Sequence, residues 1–249
     1  MSPEERKQAI KITLDQVRGR VKTIVYTGSN DTKTAIELSQ FAEKCGADAI
    51  SSVRPFYGGF SAADIKRYYK DLSECVKIPV LAYNNAAVQL SGINEIKDIC
   101  SLPNCLGVKY TLPNHFEMEL VKQAIGDKKV YSGADEMFFS ACLTEVDGAI
   151  GTSYNIALDL YKHFRKVFES GDMKEIKRMN ALNTELVSLL ISFNYMSVLK
   201  SILAEYTGGT PTAREPFANA TPEKFQELKN ALHKLGEKYD MKGFKIFEM

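Results

Sequence analysis

The chain has 249 residues, 45% of them hydrophobic, and Lys+Arg 32 against Asp+Glu 31 leaves a formal charge of +1. That is enough apolar material for one large α/β domain or two modest ones, and no basic cluster tracks a phosphate backbone, so nucleic acid is excluded as a partner. No apolar run approaches the roughly 20 residues that cross a bilayer, "SPEERKQ" is no signal peptide, and a cytoplasmic protein with no membrane partner is expected.

The first predicted element is a helix in "SPEERKQAIKITLDQVRGR", with Ser2 as cap, Pro3 in the first turn and Glu5 completing a capping box. The apolar run "KTIVYTG" (22–28) reads as a strand, "NDTKTAIELSQFAEKCG" as a helix from its Asn/Asp start to Gly46, and "AISSVRPFY" as the next strand. The alternation continues as helix 61–76, strand 79–85, helix 92–101, strand 105–111, helix 115–126, strand 128–134, helix 135–145 and strand 148–154. Beyond residue 155 only helices are predicted: 156–170, 172–193, 195–207 and 221–239. The expected division is therefore residues 1–155 as a partial (β/α) barrel and 156–249 as its last helix with a helical extension.

Short βαβ units in series require parallel strands with right-handed crossovers. Polar and small residues follow the strands, at Thr27-Gly28-Ser29, Tyr83-Asn84-Asn85, Lys109-Tyr110-Thr111, Gly133 to Glu136 and Gly151-Thr152-Ser153. In a barrel those ends share the face that carries chemistry. No G-x-G-x-x-G follows the first strand, which argues against a dinucleotide sheet.

The lone charge in "CLGVKYTL" (105–112) stands out, because Lys109 lies within an apolar strand bounded by Pro103 and Pro113. A lysine there either snorkels to water or supplies a neutral amine that attacks a ketone. Tyr83 ends the preceding strand and could reach it, as a proton-shuttling phenol or as a core tyrosine. Asp135 and Glu136 read from the residues alone as an acidic helix start. Cys45, Cys75, Cys100, Cys105 and Cys142 contain no C-x-x-C pair and read as reduced core residues. His115, His163 and His233 have no metal-ligand spacing, and no metal site is expected.

"PFY" at 55–57, "AYNN" at 82–85, "GVKYT" at 107–111, "SGADE" at 132–136, "GAIGTSYN" at 148–155 and "REP" at 214–216 occur in one order and spacing. Together they resemble the N-acetylneuraminate lyase and dihydrodipicolinate synthase family of class I aldolases, closest to the lyase branch. The resemblance implies an α/β fold of the (β/α)8 TIM-barrel type, here N-terminally incomplete with about six strands, and a helical C-terminal extension. It implies that Lys109 is the Schiff-base lysine and Tyr83 the acid/base phenol. Thr111, Gly133, Asp135, Glu136 and Thr152 would bind substrate, the acidic pair on sugar hydroxyls, and Tyr57 would reach toward a neighbouring subunit of a homo-oligomer, a tetramer in the family. No cofactor is implied, and the partner is a small 2-keto acid or sialic acid.

The loop after Tyr83 lacks the arginine of synthase members, which favours cleavage of sialic acid to pyruvate and N-acetylmannosamine. A dihydrodipicolinate synthase, another 2-keto-3-deoxy acid aldolase and an inactive remnant stay open. The family's first strand–helix–strand and its Gly-Ser/Thr-Thr-Gly-Glu carboxylate turn have no counterpart before "MSPEERKQ". Strands 22–28 and 148–154 are therefore expected to be unpaired edges that promote association.

Overall fold

In the computed structural model, which describes residues 1–249, the chain divides into two compact units. One comprises residues 1–133 with 146–148, and the other residues 134–145 with 149–249.

The first unit alternates helix and strand. Helix α1 (Pro3–Val17) starts on a capping box between Ser2 and Glu5, so two otherwise orphaned backbone N–H groups are satisfied reciprocally. It is followed by β1 (Ile24–Tyr26), α2 (Thr32–Lys44), β2 (Ala49–Val53), α3 (Ala62–Cys75) and β3 (Val80–Asn85). Then come α4 (Ile93–Cys100), β4 (Cys105–Thr111), α5 (His115–Ile125) and β5 (Lys129–Ser132). Asp31 caps α2, and Ser61 with Asp64 boxes the start of α3. The sheet order is β1-β2-β3-β4-β5-β6, with β6 (Gly148–Ala149) last, and the pairs from β1 to β5 are all parallel. Sequential parallel order with a helix after each strand is the connectivity the alternation predicts.

Leu38, Ile65, Leu72, Ile96, Ile99, Met118 and Val121 bury the helices' apolar stripes, while Ile50, Leu81, Val108 and Val130 fill the sheet side of the same core. β2 is buried at every residue, as a strand covered on both faces must be. β1 differs. It pairs only with β2, and Ile24 and Tyr26 are 37% and 45% exposed.

The second unit is helical. A single 3-10 turn (Asp135–Met137) leads into α6 (Phe138–Leu143), and α7 (Tyr154–Ser170), α8 (Met173–Ser192), α9 (Tyr195–Thr207) and α10 (Pro222–Lys238) follow. Phe138, Phe139, Leu160, Phe164, Leu182, Leu186, Ile202, Leu228 and Leu232 form one apolar cluster. Residues 134–145 group with these helices because Phe138, Phe139 and Cys142 belong to that cluster, so the division falls before the 155/156 boundary expected from where the strands stop. α7 breaks after its first turn at Ala157 (φ −141°), and the Tyr206 hydroxyl donates to the carbonyl of Ile156 at the break (3.1 Å). No single helix is long and apolar enough to cross a membrane.

The predicted strand 148–154 shrinks to two residues. Ser153, which would continue it, instead gives its backbone N–H to Asp135 and sits at the start of α7.

Two measurements test this architecture. Gly107 lies at φ +148°, and a Cβ there would overlap the carbonyl of Lys129 on the next strand. Gly107→Ala should therefore cost about 3 kcal/mol or more in urea unfolding, combining backbone strain with overpacking. Ile24→Lys, on the open edge, should reduce concentration-dependent association in sedimentation velocity relative to the wild-type chain.

Candidate functional site

The first unit brings Tyr83, Lys109, Thr111 and Gly133 together. β3 and β4 pair in parallel with Val80 opposite Cys105 but Leu81 opposite Gly107, so Leu106 is an extra, bulged residue. Beyond the bulge, Tyr83 stands opposite Lys109 and Asn85 opposite Thr111, while on the other side Lys109 stands opposite Tyr131. Without Leu106, Tyr83 would face Val108 and the lysine would point to the other side of the sheet. Val108 and Tyr110 instead take the buried helix-facing side, and Lys109 and Thr111 stay half-buried.

The Lys109 Nζ lies 4.0 Å from the centroid of the Tyr83 ring, so the ring face fixes where the amine sits. Lys109 enters no ion pair that would hold its nitrogen on a carboxylate. Gly133, whose N–H donates to the Tyr110 carbonyl (2.8 Å), ends β5 against these side chains. A Cβ at Gly133 would overlap Thr111 Oγ1 and come 2.8 Å from Lys109 Cε. Glycine here makes room for the lysine stem. An amine, a phenol and a hydroxyl on adjacent strand ends can form an imine and move protons around it.

Tyr57 is not part of this group. It is 83% exposed on the loop after β2, between exposed Phe56 and Phe60.

Asp135, Glu136 and Thr152 belong to the second unit, which treats the two carboxylates differently. Asp135 is 5% exposed, and its Oδ2 accepts both the backbone N–H and the Oγ–H of Ser153 (2.6 Å each). Ser153 Oγ is also 2.8 Å from the Tyr161 hydroxyl, which lies 2.8 Å from Asn183 Oδ1. Burial pushes the Tyr161 and Tyr154 phenols far above their ordinary range, and the nearby Asp135 charge adds to this. Both phenols stay protonated, and that of Tyr161 donates to Asn183 Oδ1. Glu136 is exposed, and Thr152 is half-buried in the turn that starts α7, where its carbonyl accepts from Asn155.

Sequence reasoning placed Ser153 only among the polar strand-end residues and missed Tyr131, Tyr161 and Asn183. Tyr131 was discoverable once the β4–β5 register was assumed, whereas the others are set by packing between distant segments. It also missed hydroxyls around Gly28, where Ser52 Oγ meets the Tyr68 hydroxyl at 2.8 Å and a Cβ would come 2.7 Å from both Ser52 Oγ and Tyr26 Oη. No three His, Cys, Asp or Glu side chains come together as a metal-ligand set.

Residues 1–235 match the dihydrodipicolinate synthetase family. Among solved structures, the chain is similar to YagE, a prophage protein of the dihydrodipicolinic acid synthase family from E. coli K12, in complex with pyruvate. The two are 25% identical with a TM-score of 0.86, over 94% of this chain and 82% of that one. It is similar to N-acetylneuraminate lyase from Mycoplasma synoviae at 25% identity and TM-score 0.87, over 96% of this chain and 81% of that one. For CdNal from Clostridium difficile, solved in complex with mannosamine, the values are 26% and 0.87, over 96% and 82%. The fold is α/β of the TIM-barrel type, with six parallel strands here.

Gly133→Ala should displace Lys109 and Thr111. Its expected outcome is a loss of pyruvate-dependent imine trapping by at least about tenfold, a shift of roughly 1.4 kcal/mol, measured beside a thermal melt that shows the folded state retained.

Proposed function

This chain belongs to the dihydrodipicolinate synthetase family and is a Schiff-base carbon–carbon lyase, a class I aldolase, and from that premise we propose that it cleaves N-acetylneuraminate to pyruvate and N-acetylmannosamine. The observation that carries the catalytic assignment is the Lys109 amine over the Tyr83 ring, on paired strand ends with Thr111 beside them.

In this reading the Lys109 amine adds to the C2 ketone of the open-chain sugar, and loss of water gives an iminium. Tyr83, acting with the substrate carboxylate, removes the C4 hydroxyl proton. The C3–C4 bond breaks, its electron pair moves into the iminium as an enamine, and the aldehyde of N-acetylmannosamine leaves. Protonation of the enamine at C3 and hydrolysis of the imine return pyruvate and the free amine. Thr111 and Gly133 shape the pyruvyl end, while Glu136, Thr152 and the turn held by Asp135 serve the sugar end. No cofactor enters these steps. Tyr57, exposed on its loop, is assigned to contact with a neighbouring copy in a homo-oligomer.

The sugar-cleaving choice is supported by "GADE" at 133–136 and by the similarity to N-acetylneuraminate lyases. Incubation with pyruvate and borohydride, followed by peptide mass mapping, should place the reduced adduct on Lys109, and an adduct on another lysine would refute the assignment. Tyr83→Phe should lower turnover by about 10²- to 10⁴-fold, the range for loss of a general acid/base. Sialic acid cleavage should exceed aspartate-semialdehyde condensation in the same preparation.

A further inference from the structure

Asn183 lies within α8, in an apolar stripe with Met179, Leu182, Leu186 and Leu190, all fully buried. An amide is out of place there unless every polar atom is used. Its Nδ2 donates to two successive carbonyls, those of Asp135 (2.9 Å) and Glu136 (3.3 Å), and its Oδ1 faces the Tyr161 hydroxyl at 2.8 Å. Exchanging amide O and N would set Oδ1 against two carbonyl oxygens, so the hydrogen-bond pattern fixes this orientation.

The gripped segment has little of its own to hold it. Asp135–Met137 is one 3-10 turn with no side-chain cap, and its exposed member is Glu136. A second arm leads from Asn183, whose Oδ1 accepts from the Tyr161 hydroxyl, to Ser153, whose single hydroxyl proton is shared between Tyr161 Oη and Asp135 Oδ2 while its N–H donates to Asp135 Oδ2. Gly151 completes the contact, since a Cβ there would overlap Asp135 Oδ1 and come 2.8 Å from Tyr154. The turn bearing Glu136 and the turn bearing Thr152 are thus tied to one buried amide.

We propose that Asn183 is a positioning residue for the sugar end of the substrate, fixing the Glu136 turn directly and the Thr152 turn through Tyr161 and Ser153. Asp135, held by Ser153, is part of this frame as well. The inference rests on the sugar-binding reading above and deepens it: selectivity for a long polyhydroxylated chain over a short 2-keto acid depends on a residue that never touches ligand.

The test combines Asn183→Leu, which keeps the volume and suits the apolar stripe, with Glu136→Gln and their double variant. Affinity for N-acetylmannosamine by calorimetry and KM for N-acetylneuraminate are read beside Lys109 adduct formation with pyruvate. Asn183→Leu should weaken sugar affinity and raise KM by roughly tenfold, the loss of one charge-assisted contact, while kcat falls less and the adduct still forms. The loss in the double variant should be smaller than the sum of the two single losses, because part of the Asn183 effect acts through the Glu136 turn. Tyr161→Phe should give a smaller change in the same direction.

Additive losses in the double variant, or parallel losses of sugar affinity and adduct, would overturn the positioning role. So would unchanged sugar affinity in Asn183→Leu with its melt intact. A wild-type chain with no Lys109 adduct but with sugar binding lost in both single variants would support the frame while refuting the aldolase reading.

Discussion

The placing of Tyr83 beside Lys109 in the first unit depends on one bulge. Leu106 has no partner on β3, and this single unpaired residue sets every later β3–β4 pair, including Tyr83 with Lys109. Because side chains alternate faces along a strand, an even ladder would exchange Lys109 for Val108 and carry the amine to the apolar helix side. The bulge leaves Gly107 at positive φ with its α-carbon hard against the Lys129 carbonyl, where only glycine fits. Gly133 performs the complementary task one strand over, leaving out a side chain where the lysine stem passes. Two glycines and one surplus residue thus fix an amine against a phenol ring.

The second unit solves a different problem by different means. Its short turns cannot hold themselves, and the polar groups that brace them come from helices. An unpaired polar group in an apolar core is costly, so the members of a buried polar network satisfy one another. Asn183 among leucines, Tyr161 among phenylalanines and Ser153 against Asp135 form such a network. The aromatic rings around Tyr161 pack edge-on, with Tyr154 at 4.5 Å, so its hydroxyl direction is set by packing as well as by bonding.

Much of this was legible in the sequence, for physical reasons that also explain the rest. Strands and helices declare themselves through periodicity and caps, and a lone lysine between prolines in an apolar run declares itself by its cost. The bulge does not, because nothing in "CLGVKYT" says which residue goes unpaired; only the neighbouring strand decides that. The Asp135-Glu136 dipeptide reads as two solvent-facing carboxylates at a helix start. That one is buried follows from Ser153, eighteen positions on, and from Asn183, forty-eight positions on. Such separations leave no local signature. The same contact keeps Ser153 itself out of the ladder, since a backbone N–H committed to a carboxylate is lost to strand pairing.

These two kinds of support differ in what they permit to vary. A register fixed by a bulge is all-or-none: any shift by one residue turns the lysine away, so the amine–phenol pair is kept or lost as a unit. A turn braced by side chains is graded, because replacing one amide or hydroxyl shifts the turn while the apolar cluster of Phe164, Leu186 and Leu232 still folds. On the proposed reading, imine chemistry placed on strand register and sugar selection placed on helix-borne polar groups respond separately to substitution. If the proposed roles hold, substitutions at Asn183 and Tyr161 change the length or hydroxylation of the acid accepted without disturbing the contact between Lys109 and Tyr83.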